Sequence, residues 1–196
     1  MKVFDISEFQ DIDIWDTLID EDVEGVIINM GETISGDQEL DNSFCDHANA
    51  AVSNNIPYGI YFVTHAHSIE EAEQEAQWIN DMVYQYLNGQ EPELGVWIDC
   101  EVSTIKMMAT HTYIMKMIEK LKSFGFSQVG IYASYSFFTD YFDLQELEEL
   151  QIPIWVANYG RVNYLKEEYP NLNHVGWQYT ETYNGMNLDA DEWYDE

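Results

Sequence analysis

Short runs of apolar, β-branched and aromatic residues recur along the chain, separated by polar segments. Most of these runs are continuous rather than alternating, which is typical of strands covered on both faces, as in a parallel sheet. The pattern predicts seven strands, at Val3–Ile6, Gly25–Met30, Tyr58–Val63, Leu94–Asp99, Val129–Ala133, Ile154–Tyr159 and Val175–Tyr179. An eighth strand is expected around Leu188.

Helical patterns fill several of the gaps between these runs. Ser68 opens a capping box, and apolar residues then recur at helical spacing as far as Tyr86. A second pattern includes Ile105 and Met108 and ends at Gly125, a predicted C-cap. Shorter helices are predicted at Asp13–Ile19, Asp41–Asn54 and Leu144–Leu150. The alternation predicts an α/β fold, an irregular β/α (TIM-like) barrel in a single domain.

Composition and charge narrow the class of protein. The 196 residues contain seven Lys plus Arg against 37 Asp plus Glu, a formal net charge of −30. A field of this sign repels polyphosphate, which excludes nucleic acid as a partner. No apolar run reaches membrane-spanning length, and the segment after Met1 does not resemble a signal peptide. We therefore expect a protein made in the cytoplasm, with no membrane partner, and we expect it to be a monomer.

Two carboxylates stand one residue apart at the end of the fourth predicted strand. Residues i and i+2 of a strand share one face, with Cα atoms ~6.5 Å apart, so Asp99 and Glu101 should lie side by side. The carboxyl ends of the strands are where β/α barrels place their chemistry. Paired carboxylates are also what glycoside hydrolysis requires. An acid at a strand end can alternatively cap the next helix.

Further acids and aromatic residues stand at other strand ends. Asp5 ends the first strand, and Asp189 or Asp191 follows the last; Asp189 is favoured because Leu188 fits the last strand residue. Sugar faces pack on aromatic rings, although large aromatic residues are also common in cores. The candidate substrate-binding residues are Tyr61, Tyr132, Trp155, Tyr159 and Gln178.

The ordered set of motifs resembles glycoside hydrolase family 25, the Chalaropsis-type lysozymes found as catalytic domains of phage endolysins and bacterial autolysins. The resemblance covers most of the chain and rests on Asp5-Ile6-Ser7, Asp99-Cys100-Glu101, Ile131-Tyr132, Trp155-Val156-Ala157-Asn158-Tyr159, Trp177-Gln178-Tyr179 and Leu188-Asp189. It implies that residues 1–196 form one catalytic domain, an N-acetylmuramidase. Such an enzyme cleaves the β-1,4 bond between N-acetylmuramic acid and N-acetylglucosamine in peptidoglycan.

The same resemblance implies roles for the four acids. Glu101 matches the general acid, and Asp99 matches the carboxylate that assists, either directly or by orienting the N-acetyl group of the substrate. Asp5 and Asp189 match two further acids of the cleft. No cofactor or metal is implied, and the partner is bacterial cell-wall peptidoglycan, reached after phage-type release.

The general acid must keep its proton near the working pH. Asp99 and the surrounding negative charge are expected to raise the pKa of Glu101. The sequence departs from the family after the second strand, where Asn29 replaces a lysine and the loop to Asp41 is longer. These differences concern contacts with substrate more than the chemistry.

Other interpretations remain open. A chitinase-like hydrolase uses a similar Asp-X-Glu, but its pattern has further aspartates upstream, where this chain has Leu94 and Trp97. A barrel that had lost turnover would serve as a glycan-binding module. The acidic runs at 70–75 and 146–149 are interpreted as solvated helix faces. His65 and His67 lack a third ligand and are interpreted as a solvated loop.

Overall fold

The computed structural model describes residues 1–102 and 109–194 and folds them around one closed β-barrel. The strands are β1 (Lys2–Ile6), β2 (Gly25–Ile34), β3 (Asp37–Leu40), β4 (Tyr58–Val63), β5 (Val96–Asp99), β6 (Val129–Ser134), β7 (Ile154–Ala157), β8 (His174–Thr180) and β9 (Asp189–Trp193). The helices of these residues are α1 (Ile14–Asp20), α2 (Phe44–Asn54), α3 (Ile69–Tyr86), α4 (Thr110–Ser123), α5 (Tyr135–Tyr141), α6 (Leu144–Glu149) and α7 (Tyr164–Glu168), with a 3-10 turn at Tyr183–Gly185.

Eight strands close the barrel in the order β1-β2-β4-β5-β6-β7-β8-β9, and β3 extends β2 as a hairpin. Neighbours from β1 to β8 run parallel around the barrel. The last strand, β9, is antiparallel to both β8 and β1. This mixed barrel in a single domain confirms the predicted irregular β/α architecture.

Every predicted strand is present, but the ends of some differ from the prediction. β2 continues to Ile34 and turns back into β3, so the expected long loop is a hairpin. β7 ends at Ala157 rather than Tyr159, and the Asn158 side chain just beyond it accepts the Tyr164 N–H at 2.8 Å. Near the C-terminus, Leu188 precedes β9 and is not its last residue.

The helices follow local signals in the sequence. Ser68 caps α3 as predicted, since its side chain accepts the Glu71 N–H at 3.2 Å. The predicted helical positions Ile105 and Met108 lie outside the described residues, and α4 is described from Thr110. Helix α5 was not predicted, because its aromatic residues conceal the helical period. Within the described residues, no helix is both long and apolar enough to cross a membrane.

Three tryptophans pack against one another inside the barrel, and we call them the tryptophan floor: Trp97, Trp155 and Trp193. Their ring centroids lie 5.2, 5.6 and 5.9 Å apart in edge-to-face arrangements. Gly130 and Gly176 make room for them, since a Cβ there would lie 2.3 Å from the Trp97 ring and 2.4 Å from the Trp193 ring. The floor therefore closes the interior beneath the carboxyl ends of the parallel strands.

Candidate active site

A cavity of about 590 Å³ opens at the carboxyl ends of the parallel strands. All four predicted acids, Asp5, Asp99, Glu101 and Asp189, line it. No described Lys or Arg side chain is among its lining residues. The fold thus brings the sequence-predicted carboxylates together in one acidic cleft.

Asp99 and Glu101 occupy the end of β5 as the spacing predicts. Asp99 is the last strand residue, is 3% exposed, and its Oδ1 has no hydrogen-bond partner among the described residues. Glu101 lies two residues further on and is exposed in the cleft. Burial, and then the charge of Glu101, raises the pKa of Asp99 well above its usual value. Cys100 between them faces the layer of helices and is fully buried.

The pKa of Glu101 is also raised, as expected, but the charged neighbour responsible differs from the prediction. The largest cause is partial desolvation of the Glu101 carboxyl within the cleft, and the charge of Glu32 is the second. Glu32 lies on β2, lines the cleft, and approaches His65 Nε2 at 3.4 Å. Sequence reasoning missed this residue, although its position just after an apolar run could have indicated it.

Asp5 and Asp189 meet across the β1–β9 pair. Their Cα atoms are register partners, because β9 runs antiparallel and begins at the same rim where β1 ends. This strand direction, and not the expected position of Leu188, places Asp189 in the cleft. Gln178 Nε2 donates to Asp5 Oδ2 at 2.9 Å. Burial raises the pKa of Asp5 well above its usual value, and it raises the pKa of Asp189 to about 6.

The predicted substrate-binding residues have different exposures. Tyr61 is partly exposed and lines the cleft, whereas Tyr159 is 52% exposed on its rim. Trp155 is 1% exposed and belongs to the tryptophan floor. Tyr132 and Gln178 are buried at 7% and 2% exposure, and the Tyr132 hydroxyl donates to Gln178 Oε1 at 2.8 Å. Tyr61 and Tyr159 are therefore the members of the set best placed to face a ligand.

Another aromatic residue on the cleft was missed by sequence reasoning. Phe9 lines the cavity and is 79% exposed. The loop that carries Phe9 is anchored by buried His47. The Nδ1 atom of His47 accepts the Trp15 indole N–H at 3.1 Å, so Nε2 carries the proton and donates to the Gln10 carbonyl at 3.1 Å. Asp41 accepts a backbone N–H of the same loop at 2.9 Å. A large exposed aromatic ring on an anchored loop is suited to contact a bound molecule.

One acid assigned to a solvated helix face is instead buried. Glu75 on α3 is 1% exposed. Its carboxylate accepts from the Thr33 hydroxyl at 2.7 Å, from the Thr64 hydroxyl, and from the His65 N–H at 3.1 Å. The three donors compensate for its burial and tie the β2–β3 hairpin to the end of β4. The prediction of a solvated face was wrong at this position.

The described residues contain no group of three or more His, Cys, Asp or Glu side chains that could hold a metal ion. His65 pairs with Glu32, whereas His67 lies 3.0 Å from Glu71. The two histidines thus have different carboxylate partners.

The closed β/α barrel and its paired carboxylates define the class of protein, a barrel glycoside hydrolase. The chain belongs to glycosyl hydrolases family 25, whose model matches residues 4–187. Comparison with curated protein sequences finds no match.

Solved structures share the fold. The modular autolysin LytC from Streptococcus pneumoniae is 26% identical with a TM-score of 0.80, over 98% of this chain and 46% of that protein, and it has also been solved with a synthetic peptidoglycan ligand. This chain therefore spans about half the length of LytC.

Two further structures are similar in fold alone. The spore cortex lytic enzyme SleM from Clostridium perfringens is 19% identical, with a TM-score of 0.82 over 99% of this chain and 67% of that protein. The catalytic domain of endolysin ply40 from Listeria monocytogenes bacteriophage P40 is 23% identical, with a TM-score of 0.77 over 100% of this chain and 93% of that protein.

Proposed function

We propose that the chain is a peptidoglycan hydrolase, an N-acetylmuramidase that cleaves the β-1,4 bond between N-acetylmuramic acid and N-acetylglucosamine. The observation that carries the proposal is the Asp99–Glu101 pair at the end of β5, facing Asp5 and Asp189 in one cleft. Membership of family 25 and the likeness to LytC, solved with a peptidoglycan ligand, support the choice of substrate.

Glu101 is the general acid in this proposal. It is exposed to the cleft, so its carboxyl can reach a glycosidic oxygen, whereas Asp99 is recessed behind it. Its raised pKa keeps a proton available for the leaving group at a pH where an ordinary glutamate is ionised. After bond cleavage the same carboxylate accepts a proton from the attacking water.

Asp99 is the assisting carboxylate. Its Oδ1 is buried and without a partner among the described residues, so a substrate group can occupy that hydrogen-bonding position. The oxygen can face the developing positive charge at the anomeric carbon, or accept from the N–H of the substrate N-acetyl group. Because burial raises the pKa values of both Asp99 and Glu101, the pair loses its protons at higher pH than two ordinary carboxyls would, and Glu101 is the member that can pass a proton to the glycosidic oxygen.

The cleft has room for more than one sugar. A second groove of about 320 Å³ shares Glu101 with the cleft and is also lined by Tyr132 and Tyr159. We assign Tyr61, Tyr159 and Phe9 to contacts with sugar faces, and Tyr132, Trp155 and Gln178 to support of the site from below. We further propose that residues 1–196 act on the cell wall as one catalytic domain, as a monomer and without a cofactor.

Digestion of purified peptidoglycan tests the proposal. Mass analysis after borohydride reduction should show new reducing N-acetylmuramic acid ends from the wild type. Glu101→Gln should lower the rate by about 10²- to 10⁴-fold, the range of a general acid, with an unchanged melting temperature. The matched control is Glu93→Gln, an exposed acid outside the cavity lining, which should retain the rate.

Two outcomes would overturn this assignment. New reducing N-acetylglucosamine ends would indicate cleavage of the other glycosidic bond. The absence of new ends from the wild type would leave a glycan-binding barrel.

A further inference from the structure

One further carboxyl group near Asp5 and Asp189, that of Asp191, is not used by the proposed chemistry. Asp191 is two residues after Asp189 on β9, so both side chains point into the barrel. Asp191 is 1% exposed, and its Cα is the register partner of Gln178 on β8. Asp189, Asp5 and Asp191 thus connect the cleft to the interior.

The contacts of Asp191 account for only one of its oxygens. The Trp155 indole N–H donates to Oδ1 at 2.7 Å, whereas buried Oδ2 has no hydrogen-bond donor among the described residues. Asp5 is the register partner of Asp189 and Val3 is that of Asp191, so Asp191 lies diagonally across the β1–β9 pair from Asp5. The Asp5 carboxyl interacts with both of these acids. Two ionised carboxylates cannot hydrogen-bond each other, because both only accept.

Among the residues that the structure describes, those that influence the pKa values of Asp5 and Asp191 supply no compensating positive charge. The titratable groups around Asp5 and Asp191 are acids and phenols: Asp189 on β9, Tyr61 on β4, Tyr132 on β6 and Tyr179 on β8. Gln178 cannot replace a cation, since the Tyr132 hydroxyl occupies its carbonyl and its amide donates to Asp5 alone. A shared proton is the remaining way to satisfy both carboxyls.

We propose that Asp191 shares one buried proton with Asp5 and is thereby a positioning residue, which fixes the charge and orientation of Asp5 under the bound sugar. No covalent bond changes, since the proton stays between the two carboxyl oxygens. Burial together with the neighbouring Asp189 charge raises the pKa of Asp191 to about 8, consistent with a proton retained at neutral pH. The assignment of the bound sugar rests on the proposed function, but the shared proton does not.

Titration of ¹³C-labelled aspartate carboxyls by NMR tests the shared proton without any activity. In the wild type, Asp5 and Asp191 should respond together to a titration step near pH 8. In Asp191→Asn, the side-chain amide keeps an acceptor for Trp155 and offers a permanent N–H to Asp5. The step near pH 8 should therefore disappear, and Asp5 should titrate at lower pH. Asp140→Asn, an exposed position on α5, removes the same charge and should leave the step unchanged.

Kinetics separate positioning from a merely structural role. Asp191→Ala removes both hydrogen bonds and should lower kcat roughly tenfold or more with little change in KM, and Asp191→Asn should restore most of kcat. The alkaline decline of kcat/KM should be less steep in Asp191→Asn than in wild type. An Asp191 that titrates on its own below pH 5 in the wild type would overturn the inference, even if every variant failed to fold. Absence of peptidoglycan cleavage with an intact shared step would overturn only the proposed function.

Discussion

The tryptophan floor and the acidic cleft lie in one barrel, on strands that alternate their side chains in the same way. On β5, Trp97 belongs to the floor and Asp99, two residues later, belongs to the cleft. On β9 the direction is reversed, so Asp189 reaches the cleft and Trp193 the floor. One inward-facing register thus supplies apolar packing at one end and carboxylates at the other.

The difference between the two regions explains why the acids have perturbed pKa values. The floor is packed from indole rings and leaves little space for water below the carboxyl groups. Burial is accordingly the first cause of the raised pKa at Asp5, Asp99, Glu101 and Asp189. Neighbouring charges are the second cause at Asp5, Asp99 and Glu101, whereas at Asp189 a hydrogen bond with Asp5 comes second and lowers the pKa. The tryptophan floor therefore helps to raise the pKa values of the carboxyl groups in the acidic cleft.

The largest expected effect comes from breaking the floor. Gly176→Ala would place a Cβ 2.4 Å from the Trp193 ring and 2.8 Å from the Trp155 ring, an overpacking that should cost about 3 kcal/mol of unfolding free energy in urea. Trp193→Leu in the same chain should recover part of the loss, with a coupling of about 1 kcal/mol in the double-mutant cycle. Strictly additive losses would show that the two residues do not compete for space.

The pH dependence of stability should follow the buried acids. In the folded protein the pKa values of Asp189 and Asp191 are about 6 and about 8, above the ordinary 3.8. Between the ordinary value and these raised values, the folded protein therefore binds more protons than the unfolded chain. Stability should consequently fall as pH rises from about 4 to 8. Melting temperatures in about 0.5 M salt, where surface repulsion is screened, should show the slope. Asp191→Asn should flatten it and Asp140→Asn should not; equal slopes in all three proteins would contradict the account.

A smaller effect should distinguish the contribution of the Glu32 charge to the raised pKa values of Glu101 and Asp99 from the contribution of burial. Glu32→Gln should lower the pKa of both Glu101 and Asp99, because their pKa values are raised in part by its charge. The alkaline limb of kcat/KM should move to lower pH, with a several-fold loss of rate on that limb. Glu39→Gln is a matched control: Glu39 is the register partner of Glu32 on β3, is exposed and does not line the cavity. An equal shift in both variants would point to the general field of the protein.

The smallest effect concerns the net charge of −30. Raising the ionic strength screens the exposed acids around the cleft and should move the limb governed by Glu101 to lower pH. Buried Asp99 should be affected less, since salt does not reach it. Identical pH–rate profiles at low and high salt would rule out a contribution from the surface field.

The sequence was sufficient for the features that depend on local periodicity. Continuous apolar runs indicated the barrel strands, and the one-residue spacing of Asp99 and Glu101 placed both at the end of β5. The features it missed depend on pairing between distant segments. The antiparallel direction of β9 brings Asp189 to Asp5, and the β2–β3 hairpin carries Glu32 at the cleft. Likewise, the burial of Glu75 depends on donors from two other strand ends, which helical spacing alone does not show.

The most direct measurement is the titration of the Asp99 and Glu101 carboxyls by ¹³C NMR in the free wild-type protein. If the apolar floor and the neighbouring acids act as described, both carboxyls should titrate above their ordinary values of 3.8 and 4.5. Two independent titrations at the ordinary values would contradict the account, because the cleft would then hold no proton for the glycosidic oxygen near neutral pH.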